Sequence, residues 1–224
     1  MDTSIIGIVY DLIFAALLVS AALLGRRRGF LASLILLVGS VLAILGASWA
    51  ARTFGPALYA EHFSGMVSQQ VSAALAEAGG DAAALVAGLD FLPDAIREAL
   101  TAALSRASGE AGPYAAEALA PLILPLVQAL LFLVVYLVLR ALVRLVAAVL
   151  RHFNDLPILG GANRLLGLVL GVGIGAVNDW VFMLVLWLAS NLAAGRVPAL
   201  GAGTLSHSFF YGLFSTLNPF LIHY

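Results

Sequence analysis

The chain has 224 residues, of which 62% are hydrophobic and only 10% are charged, whereas soluble globular domains carry about 25% charged residues. All eleven basic residues are arginine, twelve residues are acidic, and no cysteine is present. This composition excludes a disordered chain, a nucleic-acid-binding module, a disulfide scaffold and any thiolate metal site. The remaining class is an integral membrane protein.

Four apolar stretches are long enough to cross a bilayer as helices, which takes about 20 residues. They predict transmembrane helices over about 3–25, 29–51, 119–150 and 164–194. Helices are expected because backbone groups in hydrocarbon must be satisfied within each segment. The fold class is therefore all-α, with one transmembrane hairpin in residues 1–51 and a second in residues 119–195.

The segment 52–118, between the second and third spans, contains most of the acidic residues. Its apolar residues recur at helical spacing over 92–104 and over 66–78, and Gly79-Gly80 is a typical helix end. Neither run is apolar enough to span a membrane. We therefore expect an acidic loop with amphipathic helices that bury one face against the interface or the transmembrane helices.

The tail 196–224 follows the last span. Between Thr204 and Leu217 the polar and apolar side chains separate onto two faces of a helix, a pattern typical of helices that lie in the membrane interface. Pro198 argues against a fifth span that continues straight through. We expect an interfacial C-terminal helix, and a short re-entrant segment is the alternative.

The distribution of charge predicts the orientation through the positive-inside rule. The two short connections, between spans 1 and 2 and between spans 3 and 4, carry seven arginines and one acid, whereas the segment 52–118 carries three arginines and eight acids. Both arginine-rich connections are therefore expected in the cytoplasm, and both termini and the acidic loop outside. The alternative is that the arginines only mark helix ends.

Several short motifs resemble the colicin V production (CvpA) family of membrane proteins. They are Tyr10-Asp11-Leu12-Ile13, then Arg28, Gly29 and Phe30 in succession, and then the run that starts with Asn163 and Arg164 and continues through Gly167 to Gly171. Two positions depart from the family pattern: Ser33 stands where an acid is frequent, and Ile174 where a basic residue is frequent. The resemblance implies a bacterial inner-membrane protein linked to toxin production or export and to envelope homeostasis, without enzymatic activity.

A set of polar residues is expected at similar depth in the outer half of the four spans. The set comprises Asp11, Ser40, Gln128, Asn178 and Asp179. A charge inside a span costs about 2.5–3.5 kcal/mol and usually faces a bundle interior or water. No arginine is expected at that depth to pair with the acids. The set predicts a polar cavity open to the outside; the alternative is that both acids reach the interface or bind a neighbouring helix.

Three glycines, Gly167, Gly171 and Gly175, recur at four-residue spacing on one face of the fourth span. Small residues at this spacing let two helix backbones approach closely. They predict helix packing, either within the molecule against the first or second span or in an oligomer or partner interface.

The sequence contains no pattern typical of an enzyme. Its four histidines are scattered, no His-Glu-x-x-His or Gly-x-Ser-x-Gly motif occurs, and neither a metal nor a cofactor is expected. The first functional hypothesis is an accessory component in export or envelope maintenance. The alternative is a structural subunit that packs against a membrane complex through its glycines and amphipathic helices. The expected partners are the lipid bilayer and a membrane protein or a second copy of the chain, but no nucleic acid.

Overall fold

A computed structural model describes residues 3–77, 79, 81, 86, 101–102, 111–152, 160–193 and 197–220. Within these ranges the regular secondary structure is helical and no strand occurs. Four helices are long and apolar enough to cross a membrane. The chain is an all-α, multi-pass membrane protein, as its composition and its four apolar stretches predict.

The helices are α1 (Thr3–Arg28), α2 (Phe30–Leu58), α3 (Ser64–Glu77), α4 (Ala111–His152), α5 (Gly160–Ala193), α6 (Ala202–Leu205) and α7 (Phe209–Ser215). A π-helical turn, Tyr59–Phe63, joins α2 to α3, and a 3-10 turn, Pro198–Leu200, precedes α6. Helices α1, α2, α4 and α5 contain the four predicted spans. Many of their large apolar side chains are exposed, as on a protein surrounded by lipid.

The corner between α1 and α2 is a single residue, Gly29. The sequence places Arg26–Arg28 in a connecting loop, but the three arginines form the last turn of α1. Gly29 has a φ of +81°, a left-handed conformation that is costly for residues with a Cβ atom. This one residue is enough to end one helix and start the next.

The glycine face of α5 packs against α1. A Cβ atom on Gly171 would lie 2.6 Å from the backbone oxygen of Ala21, and one on Gly175 would lie 3.0 Å from the Cα atom of Leu18. Gly167 lies against the backbone of Gly25 and Gly29. The structure thus places all three glycines in an interface within the molecule, where their lack of side chains lets two backbones approach.

The chain divides into two compact units. The first contains residues 1–49 and 132–219, and the second contains residues 50–131 and 220–224. The first unit buries Phe14, Tyr136 and Met183 completely, and the features described below belong to it unless the second unit is named.

Within the second unit, α3 closely matches the amphipathic helix predicted over 66–78. Gly79 follows it with a φ of +69°, and its N–H donates to the oxygen of Ala76, which agrees with the predicted helix end. The other predicted amphipathic helix, over 92–104, lies outside the described residues except for residues 101–102.

The C-terminal tail differs from the single helix expected between Thr204 and Leu217. It forms the two short helices α6 and α7 with a break at Ser206–Ser208. Ser208 is extended (φ −87°, ψ 123°), and its hydroxyl oxygen accepts a hydrogen bond from the N–H of Tyr211. Serine competes well for backbone groups at helix starts, so it begins a new helix here instead of continuing the first.

Candidate functional site

The four long helices surround a polar cavity of about 390 Å³. Its walls carry three arginines, two serines, one asparagine and five apolar residues. They are Arg28, Arg140, Arg144, Ser20, Ser40, Asn178, Ala21, Leu24, Leu36, Val143 and Ile174. Among the described residues no acidic side chain lines it, and arginine supplies the charged groups of its walls.

The guanidinium group of Arg140 is held in place by two neutral partners. Its Nη1 donates to the hydroxyl of Tyr136 at 2.6 Å, and its Nη2 donates to Oδ1 of Asn178. The guanidinium carbon also lies 5.6 Å from the centre of the Tyr136 ring, within the range of a cation–π interaction. Because Tyr136 is completely buried, it gives Arg140 a fixed support.

The chemistry of this site favours an anion. The partners of Arg140 described above are uncharged oxygens, which orient the guanidinium without neutralising its charge. Arginine presents a planar fork of donors that matches phosphate and carboxylate groups. Arg144 lies one helical turn further along the same face of α4. Both guanidinium groups line the same cavity, so they can bind one anion together.

The structure separates the polar residues that the sequence places in one layer. Ser40 and Asn178 line the arginine cavity; the Ser40 hydroxyl donates to the oxygen of Leu36. The expectation that no arginine lies at this depth is wrong, because Arg140 binds Asn178. Counting residues from the ends of the spans does not reveal this pair, because the pair depends on the relative register of α4 and α5. The long side chain of Arg140 also places its guanidinium group at a depth different from that of its own backbone.

Gln128 does not line this cavity. It belongs to the second unit, where its side chain lies against Gly55 and a Cβ atom on that glycine would be 2.6 Å from Cγ of Gln128. The contact is one of packing between α2 and α4.

Asp11 binds the C-terminal tail. Its Oδ1 accepts hydrogen bonds from the Ser208 hydroxyl at 2.7 Å and from the N–H of Phe210 at 3.1 Å, and its Oδ2 accepts from the N–H of Phe209 at 3.2 Å. The hydroxyl of Tyr10 donates to the oxygen of Ala199 nearby. A carboxylate at the first turn of a helix satisfies free N–H groups and interacts favourably with the helix dipole. This geometry agrees with the alternative in which the acid binds a neighbouring element.

We expect Asp11→Ala to loosen the start of α7, because hydrogen bonds to charged groups contribute about 1.5–3 kcal/mol each. The protection of the Phe209, Phe210 and Tyr211 amides against hydrogen–deuterium exchange should fall by about 2 kcal/mol or more. Ser206→Ala is the matched control, since the Ser206 hydroxyl donates only to the nearby oxygen of Gly203. Unchanged exchange in Asp11→Ala would contradict the anchoring role.

Asp179 is buried in α5 with an exposed fraction of 0%. Neither carboxyl oxygen has a hydrogen-bond partner within the described ranges. One helical turn away, Phe182 contacts Phe14, whose ring also stacks on Phe210 and Phe214 of the tail. An acid in such surroundings carries a full desolvation penalty.

The two segments that carry most of the family resemblance meet at the corner between α1 and α2. The N–H of Phe30 donates to Oδ1 of Asn163 at 2.6 Å, and the Asn163 amide covers the open side of Gly29. Gly167 lies against the same corner, since its Cβ atom would be 2.8 Å from the carbonyl carbon of Gly29. These motif positions therefore hold the two transmembrane hairpins together.

A second, shallower cavity lies beside this corner. Arg164 lines it together with Arg26, Arg27 and Leu23. Arg28, which also belongs to the family motifs, instead lines the first cavity with Arg140 and Arg144.

The sequence contains a signal for the cavity that Arg140 and Arg144 line. Tyr136, Arg140 and Arg144 recur at four-residue spacing and share one face of a helix. The positive-inside rule uses the two arginines only as topology markers. Their position within an uncharged run could have identified them as residues that face a cavity.

No group of three or more His, Asp or Glu side chains in the described part of the chain could hold a metal ion. No protein-family model, curated protein or solved structure matches the chain. The resemblance to the CvpA family therefore stays a prediction, and a functional argument depends on the cavity itself.

Proposed function

We propose that this protein is an accessory component of export or envelope maintenance in the bacterial inner membrane, and that it works by binding an anionic group in its arginine-lined cavity. The observation that carries the proposal is the convergence of Arg140 and Arg144 on one cavity, whose lining among the described residues includes no acidic side chain. The resemblance to CvpA proteins, which implies toxin production or export and envelope homeostasis, supplies the physiological context.

The energetic cost of the arginines supports this proposal. An ionised side chain within a span is expensive, and such residues usually mark substrate or ion pathways. Arg140 is oriented by Tyr136 and Asn178, whose oxygens are neutral. A bound anion would provide the opposite charge that these two partners do not.

The positive-inside rule supports an orientation in which this cavity opens toward the cytoplasm. Arg28 ends α1 at the corner expected on the cytoplasmic side, and Arg144 precedes the arginine-rich connection to α5. In this orientation both termini lie outside the cytoplasm.

The alternative is a structural subunit that binds a membrane complex through the glycines of α5 and through amphipathic helices. The glycine face of α5 is covered by α1, so a partner would have to use other parts of the protein, such as the amphipathic helix α3. No comparable observation favours this second function over the cavity.

Cysteine labelling tests whether the cavity is accessible. Because the natural chain has no cysteine, Ser20→Cys and Ser40→Cys each introduce a single thiol into the cavity wall. We expect both to react with a charged, membrane-impermeant thiol reagent added from the cytoplasmic side of inverted membrane vesicles. Leu45→Cys is the control, since Leu45 is 60% exposed on the lipid-facing surface of α2 and lies outside the cavity. Equal labelling of all three would reject the accessible cavity.

Complementation then tests the role in the cell. In a strain that lacks this gene, Arg140→Gln with Arg144→Gln should fail to restore the envelope or export phenotype. Arg26→Gln with Arg27→Gln should restore it, because those residues line the separate shallow cavity. Full complementation by both pairs would refute the proposed function.

A further inference from the structure

We propose that the arginine cavity, together with an apolar groove beside it, binds one anionic phospholipid. The phosphate lies against Arg140 and Arg144, and one acyl chain lies in the groove. This inference rests on the proposed function, because it identifies the chemical class of the anion.

The groove runs between α2 and α4 and has a volume of about 590 Å³. Every residue that lines it is apolar or glycine: Leu34, Ile35, Val38, Gly39, Leu42, Ala43, Leu139, Leu142, Val143 and Val146. The nine intervals from Leu34 to Ala43 correspond to about 14 Å of helix, which is enough to accommodate much of one acyl chain in its extended form.

The groove and the cavity share a wall. Val143 lines both of them, and it packs directly against Gly39 of α2. The cavity uses the face of α2 that carries Leu36 and Ser40, and the groove uses the adjacent face with Ile35 and Val38. Polar and apolar surfaces therefore lie side by side at one level of the helix pair.

This juxtaposition matches an amphiphile better than a soluble anion. Inorganic phosphate would use the arginines and leave the apolar groove without a role, whereas a neutral lipid would use the groove and leave the arginine charge uncompensated. Basic pockets between transmembrane helices on the cytoplasmic side are typical sites for anionic headgroups. The charge of Arg140 and Arg144 thus selects the headgroup, and the groove selects the chain.

Native mass spectrometry of the full-length protein in mild detergent provides the test. The protein is titrated with phosphatidylglycerol, phosphatidylcholine or inorganic phosphate. We expect phosphatidylglycerol to bind most tightly. Each of the two arginines should raise the affinity for phosphatidylglycerol about five-fold. Arg140→Gln with Arg144→Gln should therefore weaken phosphatidylglycerol binding on the order of 25-fold. Arg26→Gln with Arg27→Gln is the matched control.

Three additional variants make the result independent of folding defects. Arg144→Gln alone removes an exposed side chain and should still weaken phosphatidylglycerol binding about five-fold. Val38→Trp fills the groove, whereas Val41→Trp adds the same bulk at an exposed position outside it. Only Val38→Trp should weaken binding of the lipid.

The outcomes separate this inference from the proposed function. Equal affinity for phosphatidylglycerol and phosphatidylcholine, or equal losses from the two arginine pairs, would overturn the lipid site. Binding of inorganic phosphate as tight as that of phosphatidylglycerol, with no difference between the two tryptophan variants, would overturn it as well, but would leave the anion-binding cavity intact. Failure of the cavity cysteines to react would instead refute the proposed function.

Discussion

Replacing Gly171 by leucine should force α1 and α5 apart and lower the free energy of unfolding by about 3 kcal/mol, the upper part of the range for overpacked interiors. A Cβ atom at this position would lie 2.6 Å from the backbone oxygen of Ala21 and 2.9 Å from the Cα atom of Ala22. Both obstacles are backbone atoms, which cannot rotate away as a flexible side chain could. Relief therefore requires a shift of a whole helix.

The matched control is Gly161→Leu, on the same helix. No atom of the described residues lies within 4 Å of the Cβ position there, and Gly161 itself is exposed. Leucine also has a higher helix propensity than glycine, by up to about 1 kcal/mol, and this variant should be as stable as the natural protein or slightly more stable. Thermal unfolding in detergent, followed by circular dichroism, measures both variants.

Equal stability of Gly171→Leu and Gly161→Leu would contradict the close contact between α1 and α5. A graded series strengthens the test. Gly171→Ala adds only the Cβ atom, so it should cost less than leucine but more than Gly161→Ala. At Gly175, too, leucine should lower the stability more than alanine, because a Cβ atom there would lie 3.0 Å from the Cα atom of Leu18.

The number and type of the long helices follow from the sequence because they depend on local properties. A run of about 20 apolar residues satisfies its own backbone as a helix, wherever it lies in the fold. The four predicted spans consequently match α1, α2, α4 and α5 within a few residues at most ends. The main exceptions are the beginning of α4 at Ala111 and the end of α2 at Leu58, where the helices continue beyond the predicted spans.

The candidate site could not be predicted in the same way, because it depends on the relative register of helices that are distant in the sequence. Small residues along α5 predict an interface, but they do not state which residue of α1 faces which glycine. Nor do they state the register of α4 against α5, which brings Arg140 to Asn178. An error of one helical turn, about 5.4 Å, is enough to assign Asn178 to a layer without arginine.

The tail illustrates a different limit. Periodicity predicts one helix between Thr204 and Leu217, since both α6 and α7 contribute to the same pattern. The helix start at Ser208 is reinforced by a tertiary contact, since its hydroxyl also donates to Asp11, which is 197 residues away in the chain. A contact of this kind is tertiary, so a local pattern cannot reveal it.

Asp179→Leu is expected to stabilise the protein by about 2–3 kcal/mol, since it removes an acid whose cost within a span is about 2.5–3.5 kcal/mol. Its side chain is completely buried, and no described group donates to either oxygen. Replacing a buried polar group that has no partner by an apolar residue of similar size is frequently neutral or stabilising. Thermal unfolding in detergent should show a higher midpoint.

Asp11→Leu is the matched comparison and should change stability in the opposite direction. Asp11 also lies within a predicted span, but its two oxygens accept three hydrogen bonds from the tail. Its replacement leaves those donors without their acceptor, so the midpoint of thermal unfolding should fall. Destabilisation of similar size in both variants would contradict the difference between the two acids.

Complementation tests whether the carboxyl group of Asp179, which is expected to destabilise the fold, is needed for activity. A variant that is more stable but inactive would show that the carboxyl group is needed for activity, because loss of folding could not explain the defect. Asp179→Asn refines the result: it retains the size and polarity of the side chain but not the ability to exchange a proton. Activity in Asp179→Asn but not in Asp179→Leu would assign a role to polarity. Full activity of Asp179→Leu would assign the acid no role, and the arginine cavity would then be the better-supported site within the spans.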